Sequence, residues 1–279
     1  MKLAIFSTIF FIHCVCIGQN IEVSVRNIYV DSTEIKNSII SSIQCETNSI
    51  VIDSVRKIKL IYAEGKDKFG TKYKIDDFDY FGYDDMVLKN TFPVTFITKK
   101  RIKEPLNISG KVRYFTPTIE NGGIKIVENP KRNCNFNVLK NNYGIKVIVL
   151  AVDDFISVIE NKKQFNRVID SITSNNKLNK KLFKKCINLL VSDHQNYSWK
   201  SDQYFAIYIE DPNDQIVGIH TSINNQIVYD GGGIYRFSSS KLVTRRFRQN
   251  IEANRSLVFE IENPNSIKDY DFILSNISF

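Results

Sequence analysis

The sequence predicts a mainly β protein built as two β-sandwich domains with a helical hairpin inserted between them. Three observations carry that expectation. Short runs of alternating or β-branched residues recur along the chain, turn-forming Asn, Asp, Gly and Pro bound them, and one stretch, 155–190, switches to helical spacing.

The first expected strand is 21–30. After a polar stretch come 57–63 (KIKLIYA), 92–98 (FPVTFIT), 110–115 (GKVRYF), 123–127 and 145–152 (IKVIVLAV). A second series runs 204–209 (YFAIYI), 216–220, 226–229, 234–237, 257–261 and 272–277. Between them, apolar positions 155, 156, 159, 165, 168, 169 and 172 share one helical face, and 178, 182, 183, 186, 187, 189 and 190 share another. A turn at Ser174-Asn175-Asn176 joins the two helices, and Lys180, Lys181, Lys184 and Lys185 are expected to form a solvated face. The expected order is therefore a leader at 1–19, a first sandwich at 20–152, a hairpin insertion at 153–200 and a second sandwich at 201–279.

The two β regions echo one another. Ile61-Tyr62-Ala63-Glu64 leads into a turn with Asp67 and Gly70, as Ile207-Tyr208-Ile209-Glu210 leads into one with Asp211, Pro212, Asp214 and Gly218. Tyr83-Asp84-Asp85 answers Tyr229-Asp230-Gly231, and each region closes on a strand ending Glu-Asn-Pro, at 128–130 and 262–264. Tandem duplication is one reading of these echoes, and chance is the other.

Residues 1–19 have the three parts of a secretory leader: Lys2, an apolar run from Leu3 to Ile17, and the small Gly18 near the expected cut. The protein is thus expected to be exported to the periplasm, the cell surface or the medium. About 260 residues would remain, enough for one large or two ordinary domains. Of the 38 basic and 30 acidic residues, only Lys2 lies in the leader, so the processed chain is expected at +7. The surplus reads as spread along the chain, densest at 177–185 and 245–248. Cys45, Cys134 and Cys186 make an odd, widely spaced set, which suits buried thiols better than a disulfide framework.

Several function classes find no support in the motifs. Outside the leader there are two histidines, His194 and His220, and no paired-cysteine spacing, which excludes an ordinary Cys/His zinc site. There is no G-x-S-x-G turn, phosphate loop or dinucleotide fingerprint, and Gly231-Gly232-Gly233 lacks the lysine and helix that phosphate binding needs. His194, Tyr197 and Trp199 gather polar and aromatic side chains able to stack on a sugar ring. Arg245, Arg246 and Arg248 interleave with Phe247 and could meet phosphates or acidic glycans.

The sharpest local signal is acidic. Residues 75–88 read IDDFDYFGYDDMVL, placing Asp77, Asp79 and Asp85 as D-x-D followed six residues later by D. Calcium takes six to eight hard oxygen ligands at about 2.3–2.6 Å, and such a turn supplies them. The stretch resembles the third calcium-binding loop of C2 domains, β-sandwiches that bind calcium and acidic phospholipid, and Ca2+ is the cofactor this implies. The resemblance covers these fourteen residues; Leu88 replaces the closing glycine, and the family's first-loop aspartates have no clear counterpart near Asp31. C2-like and immunoglobulin-like sandwiches both fit the strand pattern.

The functional expectation is a non-catalytic binding or assembly module of the cell envelope or secretome, meeting a protein, glycan or lipid surface rather than nucleic acid. The alternative is a secreted carbohydrate-active hydrolase with a carboxylate pair in a cleft between the domains.

Overall fold

A computed structural model of the chain describes residues 20–33, 38–53, 55–75, 90–139, 144–197, 204–223, 226–228, 231–237, 239–246 and 255–279. The fold is mainly β, with four antiparallel sheets and a helical insertion. Contacts divide it into two units, one of 1–117 with 264–279 and one of 118–263. This division is discontinuous, where the sequence reading drew contiguous domains. The reason is a strand pairing over a long sequence separation, described next.

Unit 1 is a sandwich, with seven strands among the described residues. β1 (Ser24–Thr33), β2 (Ser38–Glu46) and β5 (Thr91–Thr98) form one sheet in the order β1-β2-β5. β3 (Lys57–Lys66), β4 (Lys72–Lys74), β6 (Leu106–Phe115) and β15 (Ile267–Ile277) form the other, in the order β15-β6-β3-β4. Lettered along the unit, this is A-B-E facing G-F-C-C′, the immunoglobulin-like alternative among the sandwiches the sequence left open. β15 pairs with β6 from Ile267↔Phe115 to Ile277↔Leu106, which returns the chain to unit 1 after all of unit 2.

Alternation explains the core of unit 1. Phe92, Val94 and Phe96 of β5 point inward with Ile43 and Cys45 of β2, against Leu60, Ala63, Leu106, Ile108, Val112, Phe272 and Leu274 of the facing sheet. The rings of Phe92 and Phe272 meet edge-on at 5.5 Å. The outward face is charged, and the Arg113 guanidinium forks onto Asp269 from Nε at 2.8 Å and Nη2 at 3.0 Å. That fork holds the Asp269 carboxyl below its ordinary pKa. β2 was absent from the expected strands because its sequence, SIISSIQCE, is half serine and polar outward residues and looks like a loop.

Unit 2 has three layers. β7 (Ile124–Glu128), β10 (Ile216–Ile223), β11 (Gln226–Val228) and β14 (Arg255–Ile261) form a sheet ordered β11-β10-β14-β7. β8 (Lys146–Val149), β9 (Tyr204–Glu210), β12 (Gly231–Phe237) and β13 (Ser240–Arg246) form the central sheet, ordered β12-β13-β9-β8. One face of the central sheet, with Val147, Val149, Phe205, Ile207 and Val243, packs on Ile219, Leu257 and Phe259 of the first sheet. Its other face, with Ile148, Ala206, Tyr208 and Leu242, packs on Phe155, Ile169, Phe183, Cys186, Ile187 and Leu190 from the helices. A strand covered on both sides needs apolar residues at every position, and this is why IKVIVLAV and YFAIYI are unbroken runs.

The helical layer comprises α1 (Val152–Ile156), α2 (Lys162–Asn176) and α3 (Lys180–Tyr197). The Asn161 side chain caps α2 by accepting from Gln164 N at 3.1 Å, and α2 ends where Lys177 turns left-handed at φ 53°. Glu210, at the end of β9, pins the α2–α3 turn to the sheet. Its carboxylate accepts from Asn179 N at 2.5 Å and Tyr208 Oη at 2.9 Å, and pairs with Lys146 Nζ at 3.1 Å.

Two local expectations change. Gly231-Gly232-Gly233, which the strand pattern left between the expected strands 226–229 and 234–237, opens strand β12, paired with Arg246, Arg245 and Thr244. A Cβ at position 232 would overlap the Thr244 carbonyl, so glycine permits this approach. The Asp67 and Asp211 echo is geometrically real, since each carboxylate accepts two backbone N–H groups of its own turn. The Glu-Asn-Pro strands β7 and β14, however, are neighbours in one sheet of unit 2, so they do not mark the ends of two copies.

Candidate functional site

The acidic stretch that carries Asp77, Asp79 and Asp85 falls within 76–89, outside the described residues. Trp199 and Arg248 lie outside them as well. Among the described residues no cluster of three or more His, Cys, Asp or Glu is placed to hold a metal ion.

The remaining candidates fall in unit 2. His194 lies half-buried in the last turn of α3, Tyr197 ends that helix, and Arg246 ends β13. Arg245 is committed within the sandwich: its Nε and Nη2 donate to the Ile219 carbonyl at 3.1 and 2.9 Å, tying β13 to β10. At the opposite end of the same strand Lys241 pairs with Asp214 and lies 3.9 Å from the buried Asp211 carboxylate. Each end of this sandwich is thus held by a cation: Arg245 donates to a main-chain carbonyl at one end, and Lys241 offsets the buried Asp211 carboxylate at the other.

Two arrangements escaped the sequence reading. The first pairs His220 of β10 with Glu260 of β14, with Nε2 and Oε1 at 3.5 Å and the carboxylate side chain 5 % exposed. Both sit on one face of their sheet beside Gly218, where a Cβ would overlap the carboxylate and come within 2.9 Å of Nε2. Nothing local in the sequence signals this pair, because its members are forty residues apart and are aligned by register. The second is a set of open strand edges bearing Ile-Tyr pairs. Ile28 and Tyr29 of β1 are 41 % and 54 % exposed, and Ile234 and Tyr235 of β12 are 48 % and 37 % exposed. Tyr235 Oη donates to Asp193 Oδ2 at 2.6 Å, which fastens edge strand β12 to the end of α3.

Cys45, Cys134 and Cys186 are free thiols. Burial pushes Cys45 and Cys134 upward and takes Cys186 to about 12, so none offers a thiolate at neutral pH. Burial and then Glu210 likewise raise the Tyr208 phenol, which serves as a hydrogen-bond donor.

Among the described residues these surfaces offer edge strands paired on one side, exposed aromatics and a His–carboxylate pair. No protein-family profile, no curated protein and no solved structure matches this chain.

Proposed function

We propose that the chain is an exported, non-catalytic binding or assembly module of the envelope or secretome, in which unit 1 takes an extended segment of a partner protein onto the edge of β1. The observation that carries this reading is the edge itself. β1 pairs with β2 on one side, and none of its described side chains is buried. Its register slips between Val25 and Asn27, leaving 27–33 as a regular run whose first four residues, Asn-Ile-Tyr-Val, are uncharged. Edge strands usually carry charges, prolines or covers that prevent strand addition, and a ten-residue edge with exposed Ile28 and Tyr29 lacks them at its centre. Strand addition would supply main-chain hydrogen bonds for affinity and alternate side chains for specificity.

A photo-crosslinking residue at Tyr29 tests this in the native host. A discrete adduct is expected there and not at the equally exposed turn residue Ile119, and Ile28→Lys should abolish it. Adducts that are the same at both positions, or indifferent to Ile28→Lys, would overturn the reading.

Calcium assistance through Asp77, Asp79 and Asp85 belongs to the same proposal. Millimolar calcium is expected to raise the melting temperature, reversibly with chelator, and Asp79→Asn should remove the rise. An unmoved melt takes calcium out of the reading and leaves a metal-free module.

A further inference from the structure

Charge is distributed far less evenly over this chain than its linear sequence suggests. Residues 161–190 hold eight of the 38 basic residues and one of the 30 acidic ones, so +7 of the chain's +8 lies in that segment and the other 249 residues together carry +1. Those thirty residues are α2, the turn after it and most of α3.

Packing keeps the cations off the buried side of the helices. The apolar positions Phe165, Ile169, Ile172, Phe183, Cys186, Ile187 and Leu190 are buried under the helices. Across the seam between the helices, Lys180 pairs with Asp170 at 2.6 Å and Lys184 donates to Asn166 at 2.9 Å. Outward of that seam, Lys163 and Arg167 are one turn apart on exposed α2, and Lys181 stands on exposed α3. Lys163, Arg167 and Lys181 have no ion-pair partner among the described residues. Asp170, the one acid of the segment, is already engaged. None of the large exposed hydrophobic residues lies in this segment.

We infer that the outer face of the α2–α3 hairpin is a docking surface for an anionic phospholipid bilayer, held by charge and without insertion. The partner follows from the composition of the face. Two helices side by side make a broad basic surface, and basic residues near an acidic membrane are drawn to it additively. An inserting amphipathic helix would turn its apolar stripe to the lipid, whereas here that stripe is spent on the core of unit 2. A single-stranded nucleic-acid platform would present aromatics for stacking, and this face presents none. The surface is independent of the β1 edge in unit 1, so either proposal can fail without the other.

The test uses residues 20–279 and sedimentation with vesicles of equal parts phosphatidylglycerol and phosphatidylcholine. Binding is expected at low salt, with little to phosphatidylcholine alone, and it should fall steeply as salt shortens the screening length. Lys163→Glu with Arg167→Glu and Lys181→Glu should weaken binding by about tenfold or more, at an unchanged melting temperature because these side chains are exposed. The matched control, Lys99→Glu with Lys100→Glu and Arg101→Glu, makes the same change in net charge on unit 1 and should leave binding within about twofold. Equal losses in the two triples would overturn the assignment, because net charge alone would then act. Absence of binding to the anionic vesicles would overturn it too, as would tighter binding to short duplex DNA than to vesicles.

Discussion

Replacing Phe183 with alanine is expected to destabilise unit 2 by about 3–5 kcal/mol, the range for truncating a fully buried phenylalanine. Phe183 has no exposed surface and lies where α3 meets the central sheet. Its ring stands edge-on to Tyr208 at 4.9 Å and faces Phe155 of α1 at 6.5 Å. Truncation therefore removes contacts to a strand and to another helix at once, and the surrounding β-sheet cannot collapse to fill the space. Denaturant titration of the variant checks the value, with Phe183→Leu as the milder companion, expected to lose about 1–2 kcal/mol because most of the volume is kept. A loss below about 1 kcal/mol for the alanine variant would mean that the helical layer adds little to unit 2.

Gly110→Ala is the second large effect, and it arises from crowding instead of loss. Gly110 sits in β6, between β3 and β15, and faces the core of unit 1. A Cβ there would meet the Phe272 ring at 2.5 Å and the Tyr62 carbonyl at 2.7 Å. The ring could turn only into its neighbour Phe92, and the carbonyl belongs to the backbone of the next strand. A cost of about 3 kcal/mol is expected, at the upper end of overpacking penalties. Gly231→Ala is the control, since nothing lies within 4 Å of the Cβ it would add, and it should stay within about 0.5 kcal/mol of the parent. Similar melting temperatures for Gly110→Ala and the parent would show that β6 and β15 can separate at little cost.

How far the fold could be read in advance depended on the distance over which each signal acts. Alternation over 92–96 picks out Phe92, Val94 and Phe96, and β5 buries these three. Helical spacing made the hairpin legible but not its bounds: the first expected helix is divided into α1 and α2, and 174–176, expected as the turn, is the last turn of α2, with the chain turning at Lys177 instead. Strand order was hidden, since nothing in the residues of β15 says that its partner is β6, more than 150 positions earlier. The continuous runs of β8 and β9 did carry information that a two-layer reading left unused: a strand without polar alternation is covered on both faces. The Glu260–His220 pair had no sequence signal, whereas the concentration of positive charge in 161–190 was countable and was masked by an average over the chain. Candidate residues chosen by composition fared unevenly for a related reason. Arg245 looked like a surface cation, but its position on the inward side of β13 commits the guanidinium to a backbone carbonyl.

The discontinuity of unit 1 imposes an order in time. During synthesis β1 to β6 emerge before any residue of unit 2, yet the sheet they form has an open flank at β6 until β15 is made. Unit 2, contiguous from 118 to 263, has all of its strands and helices in hand by then and can close its three layers first. The nascent chain therefore carries an exposed β6 edge for the whole time that the intervening 146 residues are translated. That interval favours keeping unit 1 unfolded until β15 has been made. Shielding that one flank is the service a chaperone would perform for this protein.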